Sequence, residues 1–197
     1  MDSSLQRLSE FGVSVWIDYL SRDLLQSGEL ARVIAEDSVV GVTSNPAILQ
    51  KAMSEGNAYD EQLRQLLLTE TDAKEISLDV SARDIDAAID LLRPVFDESG
   101  KDGFVSWEVD PTLAYDRQAT FEDAQRLHEW IAKPNLYVKI PATEPALGAI
   151  EDMIAAGKNI NVTLIFSLDR HKQVMEAYIS GLERLVEAGG VHGALRR

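Results

Sequence analysis

The run Phe104-Val-Ser-Trp-Glu-Val-Asp110 alternates apolar and polar residues and decides the fold class. Successive side chains of a β-strand point to opposite faces, so Ser106, Glu108 and Asp110 share one face of a strand here. The residues between them are apolar and share the other face. The run therefore predicts a strand with one apolar and one polar face.

Four other apolar runs have the length of buried strands: Val13–Ile17, Val39–Thr43, Leu136–Ile140 and Ile160–Phe166. Amphipathic stretches separate the runs, so strands and helices are predicted to alternate along the chain. Leu30–Glu36 and Tyr59–Leu68 are predicted helices, and others are predicted to begin near Ser81, Thr120, Pro145 and Ser167. For residues 76–80 a further strand is the alternative.

Polar residues on one face of every predicted strand distinguish between two folds, a doubly wound sheet and a (β/α)₈ barrel. The other strands place on that face Trp16 and Asp18, Thr43 and Asn45, Tyr137 and Lys139, and Asn161 and Thr163. Helices cover both faces of a doubly wound sheet, where so many polar groups would be hard to satisfy. A barrel keeps such groups in its interior, near the carboxyl ends of its strands. We therefore predict an α/β fold of the (β/α)₈ TIM-barrel type, of which about the first five βα units are present.

Length and composition predict one ordinary globular domain. The chain has 197 residues, of which 45% are apolar and 26% charged. We assign residues 1–190 to a partial barrel domain and residues 191–197 to an atypical tail. No apolar run approaches the roughly 20 residues of a membrane helix, and the start of the sequence has no signal-like apolar block. The expectation is a cytoplasmic protein without membrane contact.

Charge and residue usage make several classes of function unlikely for this sequence. The net charge of −14 repels nucleic acid, and the 19 basic residues form no cluster. The absence of cysteine excludes disulfides, thiolate metal sites and cysteine nucleophiles. Three scattered histidines, His128, His171 and His192, lack the spacing of a zinc site, and no metal is expected. His128 is predicted to be a surface or packing residue.

Lys139 is the candidate nucleophile. It lies within the apolar run Leu136–Ile140 on the predicted polar face of its strand, with no short route to bulk water. Such a setting disfavours the charged ammonium and leaves a larger fraction of reactive amine, which can attack a ketone. The alternative is a solvated side chain, as for most lysines.

Glu108 and Asp18 bring two carboxylates to the same face from different strands and are candidates for proton transfer. A structural ion pair with Lys139 is the alternative for either of them. Four further residues add neutral groups that could bind hydroxyls of a polyol: Asn45, Asn161, Thr43 and Thr163. For any one of them taken alone, capping of the backbone is the favoured interpretation, because it is a common role of asparagine and threonine at strand ends. The glycines form no nucleotide-binding fingerprint.

These residues occur in motifs that together resemble the transaldolase family over roughly residues 5–190. The motifs, in chain order, are Trp16-Ile-Asp18, Gly41-Val-Thr-Ser-Asn-Pro46, Ser106-Trp-Glu-Val-Asp110, Leu113-Ala-Tyr-Asp116, Val138-Lys139 and Asn161-Val-Thr-Leu-Ile-Phe-Ser167. The combination is far more specific than any single motif, and it is most similar to the long bacterial branch of the family.

The resemblance implies transfer of a dihydroxyacetone unit between sugar phosphates in the non-oxidative pentose phosphate pathway, with no cofactor. Lys139 would form a Schiff base, and Glu108 would assist dehydration through a water held by Thr163. Asp18 would take the hydroxyl proton during carbon–carbon cleavage. The three-carbon unit would be held by Asn45 and Asn161, near Thr43.

One departure from the family pattern affects these expectations. A complete barrel takes about 250 residues, whereas this sequence stops after the fifth recognisable strand, and residues 191–197 do not resemble a sixth. The serine and arginines that bind the substrate phosphate in the family lie on later strands. We interpret the sequence as the result of a truncation or a frameshift. The alternatives are another Schiff-base aldolase and a non-catalytic remnant, and the sequence predicts no oligomeric state.

Overall fold

A computed structural model describes residues 4–190. The tail predicted for residues 191–197 lies outside the described residues, as does His192. By its internal contacts the chain divides into two compact units, which meet in sequence at residues 105 and 106. The assignment of one domain to residues 1–190 stays a prediction.

Residues 4–190 form five strands: β1 Val15–Ile17, β2 Val39–Thr43, β3 Phe104–Glu108, β4 Leu136–Pro141 and β5 Ile160–Thr163. Their order in the sheet is β1-β2-β3-β4-β5, and the pairs β1/β2 and β4/β5 are parallel. A doubly wound sheet reverses its strand order at a switch point, whereas a barrel wall follows the order of the sequence. The barrel-type prediction is confirmed, with five strands in sequence order.

Helices fill the connections between these strands. They are α1 Ser4–Glu10, α2 Arg22–Gln26, α3 Glu29–Glu36, α4 Pro46–Ser54, α5 Asp60–Leu66, α6 Ala73–Ser99, α7 Arg117–Ile131, α8 Ala146–Ala155 and α9 Leu168–Glu187. A short 3₁₀ helix, Pro111–Leu113, follows β3. None of the helices within residues 4–190 is long and apolar enough to cross a bilayer.

The first unit packs around the long helix α6, whose buried side chains include Ile85, Ile89 and Leu92. In its sheet, Trp16 lies directly over Gly41, where an added Cβ would come within 2.3 Å of the indole. This close approach explains why β2 has glycine between two valines. It brings the tryptophan of β1 against the backbone of the next strand.

A buried polar cluster ties α2 to α6 within the first unit. Arg22 Nε donates to Asp84 Oδ1 at 2.8 Å, and Tyr59 Oη donates to Asp84 Oδ2 at 2.9 Å. The Arg22 backbone N–H in turn donates to Tyr59 Oη at 2.8 Å. Burial raises the pKa of the Asp84 carboxyl, and the guanidinium of Arg22 opposes that shift. Each charged group of the cluster has a partner, as burial in an apolar core requires.

The second unit stacks α7, α8 and α9 beside β4 and β5. Arg117 on α7 and Arg184 on α9 both donate to Asp152 on α8, at 2.7 Å each. Partial burial raises the pKa of Asp152, but the two arginines outweigh it and hold this pKa below its usual range. Arg117 lies over Gly148, where a Cβ would meet its side chain at 2.5 Å. These ion pairs clamp three consecutive helices together.

Two predicted helix starts were wrong. Ser81 lies inside α6, which begins after the N-cap Asp72, and its hydroxyl donates to the Ser77 carbonyl at 2.6 Å. Residues 76–80 are therefore helical, and the alternative of a strand is also wrong. Thr120 lies inside α7, whose N-cap is Asp116, and its hydroxyl donates to Leu113 O. In both cases a serine or threonine satisfied its hydroxyl on a backbone carbonyl instead of capping the helix.

The last strand is shorter than predicted. It ends at Thr163, because Leu164 has φ +60°, a left-handed conformation that interrupts extended pairing. Phe166, predicted to belong to the strand, is 87% exposed. Ser167 caps α9 as predicted, accepting from the Arg170 N–H at 3.1 Å.

Candidate active site

Lys139 and Glu108 face each other in the second unit. Glu108 is the last residue of β3, and Lys139 lies in the neighbouring strand β4. The backbone carbonyl of Lys139 accepts a hydrogen bond from the Val109 N–H at 3.2 Å. Lys139 Nζ lies 3.6 Å from Glu108 Oε2, and the two side chains are only 11% and 17% exposed. This distance is an ion pair but too long for a hydrogen bond. The lysine is thus held almost out of solvent beside a carboxylate at the carboxyl end of the sheet.

Asn161 joins this pair from the next strand. It is the residue of β5 in register with Lys139, so the two side chains lie on the same face of the sheet. Asn161 Nδ2 donates to Ser106 Oγ at 3.0 Å, and Ser106 is fully buried. The contact fixes the orientation of the Asn161 amide beside Lys139.

Thr163 ends β5 in register with Pro141 of β4. Its Oγ1 is buried and has no hydrogen-bond partner among the described residues. A buried hydroxyl without a partner is unusual and costs free energy, so it calls for an explanation. Thr163 therefore offers an unsatisfied hydroxyl near the carboxyl end of the sheet.

The loops that follow β3 and β4 are tied to each other. Thr143 Oγ1 donates to the Ala114 carbonyl and accepts from the Ala146 N–H at 3.3 Å. The Asp110 N–H donates to Asp123 Oδ2 at 2.9 Å, which anchors the start of the first loop to α7. Both loops emerge from the strands that carry Glu108 and Lys139, so these contacts restrict the backbone around the pair.

The remaining predicted residues belong to the first unit. Asp18 directly follows β1 and is exposed, and Thr43 is the last residue of β2 and half-buried. Asn45 is the N-cap of α4, where its Oδ1 accepts from the Ile48 N–H at 3.0 Å. Capping, the alternative for the asparagines, is therefore observed at Asn45. All three residues lie at the carboxyl ends of their strands, and their convergence with Lys139 stays a prediction.

His128 is a packing residue rather than a ligand, one of the two roles predicted for it. It is 9% exposed on α7, and its Nε2 lies 2.8 Å from the carbonyl oxygen of Asn159, just before β5. Burial lowers the pKa of His128 to about 4, although the carbonyl contact opposes the shift. The ring is therefore neutral at physiological pH. Within residues 4–190 no group of three or more histidine, cysteine or acidic side chains is arranged to hold a metal.

The sequence matches a known protein family over most of its length. Residues 15–192 match the family described as transaldolase/fructose-6-phosphate aldolase. The chain belongs to this family. The resemblance seen in the sequence motifs is confirmed.

Curated relatives agree with this assignment. The chain is 50% identical over 190 residues to the transaldolase of Thermobifida fusca, an alignment that covers 96% of this chain and 52% of that protein. It is 47% identical over 190 residues to transaldolase 2 of Streptomyces coelicolor, covering 96% of this chain and 51% of that protein. The chain thus spans about half the length of the transaldolases that it matches.

Ser106 is the site residue that the sequence reasoning missed. It was placed on the polar face of its strand, but it was not included among the candidate functional residues. Its signal was its position two residues before Glu108, which puts both side chains on the same face. The contact with Asn161 depends on strand register, which the sequence alone does not give.

Proposed function

We propose that this chain carries the Schiff-base half of a transaldolase-type active site, with Lys139 as the covalent residue. The reaction would move a dihydroxyacetone unit from a ketose phosphate to an aldose phosphate, as in the non-oxidative pentose phosphate pathway. It would convert sedoheptulose 7-phosphate and glyceraldehyde 3-phosphate into erythrose 4-phosphate and fructose 6-phosphate. The ion pair of Lys139 with Glu108 is the observation that carries the proposal.

The Lys139 amine would attack the ketone carbon of the donor sugar to form a carbinolamine, which then loses water to give an iminium. Loss of the hydroxyl needs a proton, and Glu108 lies 3.6 Å from Nζ, far enough for one water to bridge to the reacting oxygen. Thr163 would hold that water through its buried Oγ1, which has no partner among the described residues. This role would also explain why the hydroxyl is left unsatisfied.

Cleavage of the carbon–carbon bond would leave an electron pair that the iminium accepts, so no cofactor is required. Asp18 would take the proton from the hydroxyl on the departing aldehyde carbon. Asn161 would hold a hydroxyl of the three-carbon unit, oriented by its contact with Ser106. Asn45 could assist through its amide Nδ2, because its Oδ1 already caps α4, and Thr43 would line the same site.

The unit would then be transferred to an acceptor aldehyde, and water would release Lys139. Substrates would be small sugar phosphates in the cytoplasm, with no role for nucleic acid or a membrane. Two other functions remain as alternatives. One is a lyase that releases the three-carbon ketone, which the family description includes, and the other is a non-catalytic remnant, favoured by the half-length match.

Chemical trapping tests the covalent step directly. The verified 197-residue chain is incubated with fructose 6-phosphate and borohydride, and the adduct is mapped by peptide mass spectrometry. We expect a reduced three-carbon or six-carbon adduct on Lys139 and none in Lys139→Met. Lys172→Met serves as the matched control, because Lys172 is an exposed lysine in a loose pair with Glu176 at 3.9 Å. An adduct that maps to another lysine would refute the assignment.

A product assay separates transfer from lyase activity. Release of dihydroxyacetone from fructose 6-phosphate without an acceptor would indicate an aldolase. Consumption of a ketose phosphate only when an acceptor aldose phosphate is present would indicate transfer. We expect trapping to require high substrate concentrations and transfer to be very slow, because loosely held substrate rarely reaches the reactive geometry. Efficient turnover by this chain alone would contradict that expectation, and a complete lack of adduct would favour the non-catalytic remnant.

A further inference from the structure

The loops that leave β3 and β4 meet at one threonine side chain, Thr143. Its hydroxyl donates to the backbone carbonyl of Ala114, in the loop after β3, and accepts from the Ala146 N–H at 3.3 Å, at the start of α8. The Thr143 carbonyl accepts from the Leu147 N–H at 3.2 Å. One half-buried side chain therefore joins two consecutive βα units at the carboxyl end of the sheet.

The two hydrogen bonds of the Thr143 hydroxyl have different consequences. Acceptance from the Ala146 N–H satisfies a donor in the first turn of α8, as a helix-capping side chain does. A cap needs only an acceptor, whereas the bond to the Ala114 carbonyl needs a donor and crosses to another βα unit. Helix capping therefore does not account for this second bond.

The loop that contains Ala114 begins directly after Glu108, the last residue of β3. Thr120 Oγ1 donates to the Leu113 carbonyl at 2.8 Å, which binds this loop to its own helix, α7. The hydroxyl bond to Ala114 instead binds it to the loop after β4, the strand that carries Lys139. The backbone that follows the carboxylate is thus tied to the backbone that follows the lysine.

The loop after β4 is itself fixed by backbone hydrogen bonds. The Ala142 N–H donates to the Thr163 carbonyl of β5 at 2.8 Å, and the Thr143 N–H donates to the Pro141 carbonyl at 2.8 Å. These bonds hold the backbone on both sides of the Thr143 side chain. Thr143 is therefore a fixed point against which the neighbouring loop is held.

We propose that Thr143 is a positioning residue for the pair of Lys139 and Glu108. It holds Ala114, and with it the loop that follows Glu108, in a fixed place relative to the strand of Lys139. The inference rests on the proposed Schiff-base function, in which Glu108 supplies a proton across a gap of 3.6 Å from Nζ. A displacement of about 1 Å at such a site can cost about a hundredfold in rate. The Thr143 hydroxyl bonds to backbone groups, so it acts through the separation of the pair and not through the substrate.

Substitutions of Thr143 in the full chain test the proposal. Thr143→Val keeps the shape of the side chain but removes both hydrogen bonds, whereas Thr143→Ser keeps them. The rate of adduct formation on Lys139, measured with fructose 6-phosphate and borohydride, should fall about tenfold to a hundredfold in Thr143→Val. It should stay close to the wild-type rate in Thr143→Ser. Asp72→Ala is the control for loss of a helix cap, because Asp72 caps α6 by accepting from the Lys74 N–H at 2.8 Å. It should also keep the wild-type rate.

A double-mutant cycle separates positioning from a general loss of structure. If Thr143 acts by placing Glu108, Thr143→Val should have little further effect on the rate in a Glu108→Gln background. A merely structural role would lower the rate by the same factor in both backgrounds. Circular dichroism reports the folding of each variant, and all rates are measured well below the lowest Tm. If Thr143→Val does not fold, Thr143→Asp takes its place, because aspartate caps a helix but cannot donate to a carbonyl.

Labelling without substrate tests the positioning apart from the chemistry. Acetic anhydride should modify Lys139 slowly relative to Lys172 in wild type, because these side chains are 11% and 72% exposed. The ratio of the two rates should rise severalfold in Thr143→Val, since a freed loop lets water and reagent reach the amine, and it should not change in Thr143→Ser. An unchanged ratio, or equal losses of rate in both backgrounds of the cycle, would overturn the proposal. If wild type forms no adduct, the Schiff-base function fails, and the labelling ratio still decides whether Thr143 holds Lys139 in place.

Discussion

At the scale of single residues, the pairing of Lys139 with Glu108 has two explanations that differ in their consequences. A buried ion pair often serves structure alone and adds little net stability. The pair here is 3.6 Å apart, longer than a hydrogen bond, and lies at the carboxyl end of the sheet. The other explanation is the proposed catalytic role, for which position speaks, because barrels of this type carry their chemistry at the carboxyl ends of the strands.

The first prediction tests that role with Glu108→Gln. The substitution keeps the shape of the side chain but removes its ability to supply a proton, so formation of the trapped Lys139 adduct should slow by about 10²–10⁴-fold. The rate is measured by quenched borohydride reduction. Glu176→Gln, in the exposed pair with Lys172, should leave it unchanged. An unchanged rate in Glu108→Gln would show that the pair of Lys139 and Glu108 is only a structural contact.

The second prediction concerns His128, whose pKa burial lowers to about 4. In the unfolded chain the ring binds a proton below about pH 6.5. Between these two pH values the unfolded state therefore binds one more proton than the folded state. Proton binding then favours unfolding, so the free energy of unfolding is unaffected by His128 well above pH 6.5 and falls as the pH is lowered from 6.5 toward 4. The slope is up to about 1.4 kcal/mol per pH unit.

Urea unfolding at a series of pH values measures this slope. Between pH 6.5 and 5, wild type should lose about 1.5 kcal/mol more than His128→Gln, because glutamine cannot gain the charge but can still donate to Asn159 O. His171→Gln, at an exposed position on α9, should behave like wild type. Equal slopes for wild type and His128→Gln would show that the ring titrates normally in the folded chain.

At the scale of elements, the buried cluster of Arg22, Asp84 and Tyr59 fixes α2 against α6. The third prediction is that Asp84→Ala lowers the free energy of unfolding by about 3–5 kcal/mol, because it leaves Arg22 buried without its charge partner. Tyr59→Phe should cost less, about 1–3 kcal/mol, since it removes only a hydroxyl that bonds to both other groups.

The control for this cluster lies on the same helix. Asp97 pairs with Arg93 at 2.8 Å on the exposed side of α6, and Asp97→Ala should change stability by about 0.5 kcal/mol or less. Chemical unfolding followed by circular dichroism gives all three values. Equal losses for Asp84→Ala and Asp97→Ala would show that burial adds nothing to the pair.

The helices and strands also show which features of the sequence were sufficient to predict secondary structure. Runs rich in apolar residues located the five strands of residues 4–190, because a strand covered by helices needs apolar side chains at least on the covered face. Helix starts were harder, since Ser81 and Thr120 match a capping pattern yet lie within helices, while the aspartates Asp72 and Asp116 do the capping. A hydroxyl can cap a helix or bond to the preceding turn, and only the path of the chain decides between the two.

At the scale of the whole molecule, period-two alternation predicted the barrel type and the polar face that carries Lys139, Glu108, Asn161 and Thr163. The sequence did not predict Ser106 as a partner of Asn161, since that contact requires two strands in a particular register. Nor did it predict which apolar side chains of α9 are exposed. Exposure of a helix face depends on which neighbours are present, and a single sequence describes only the helix itself.

The fourth prediction follows from that surface. Leu168 is the first residue of α9 and Phe166 lies just before that helix, and these side chains are 88% and 87% exposed. Farther along, α9 also exposes Met175, Ile179 and Val186. A contiguous apolar patch binds hydrophobic dyes and promotes association, while the net charge of −14 opposes association through repulsion. We therefore expect the chain to bind 8-anilinonaphthalene sulfonate while soluble at low salt, and to associate as salt screens its charge.

Substitution separates this patch from general looseness of the fold. Phe166→Ser with Leu168→Ser should lower the dye signal severalfold and delay association to higher salt, with little change in stability, because both side chains are on the surface. Leu68→Ser, equally exposed at 83% but in the first unit, should leave the signal nearly unchanged. If the dye signal falls equally in both variants, the dye does not bind specifically to the patch formed by Phe166 and Leu168. No signal in wild type, together with one sharp cooperative melt, would show that the second unit covers its own apolar face in solution.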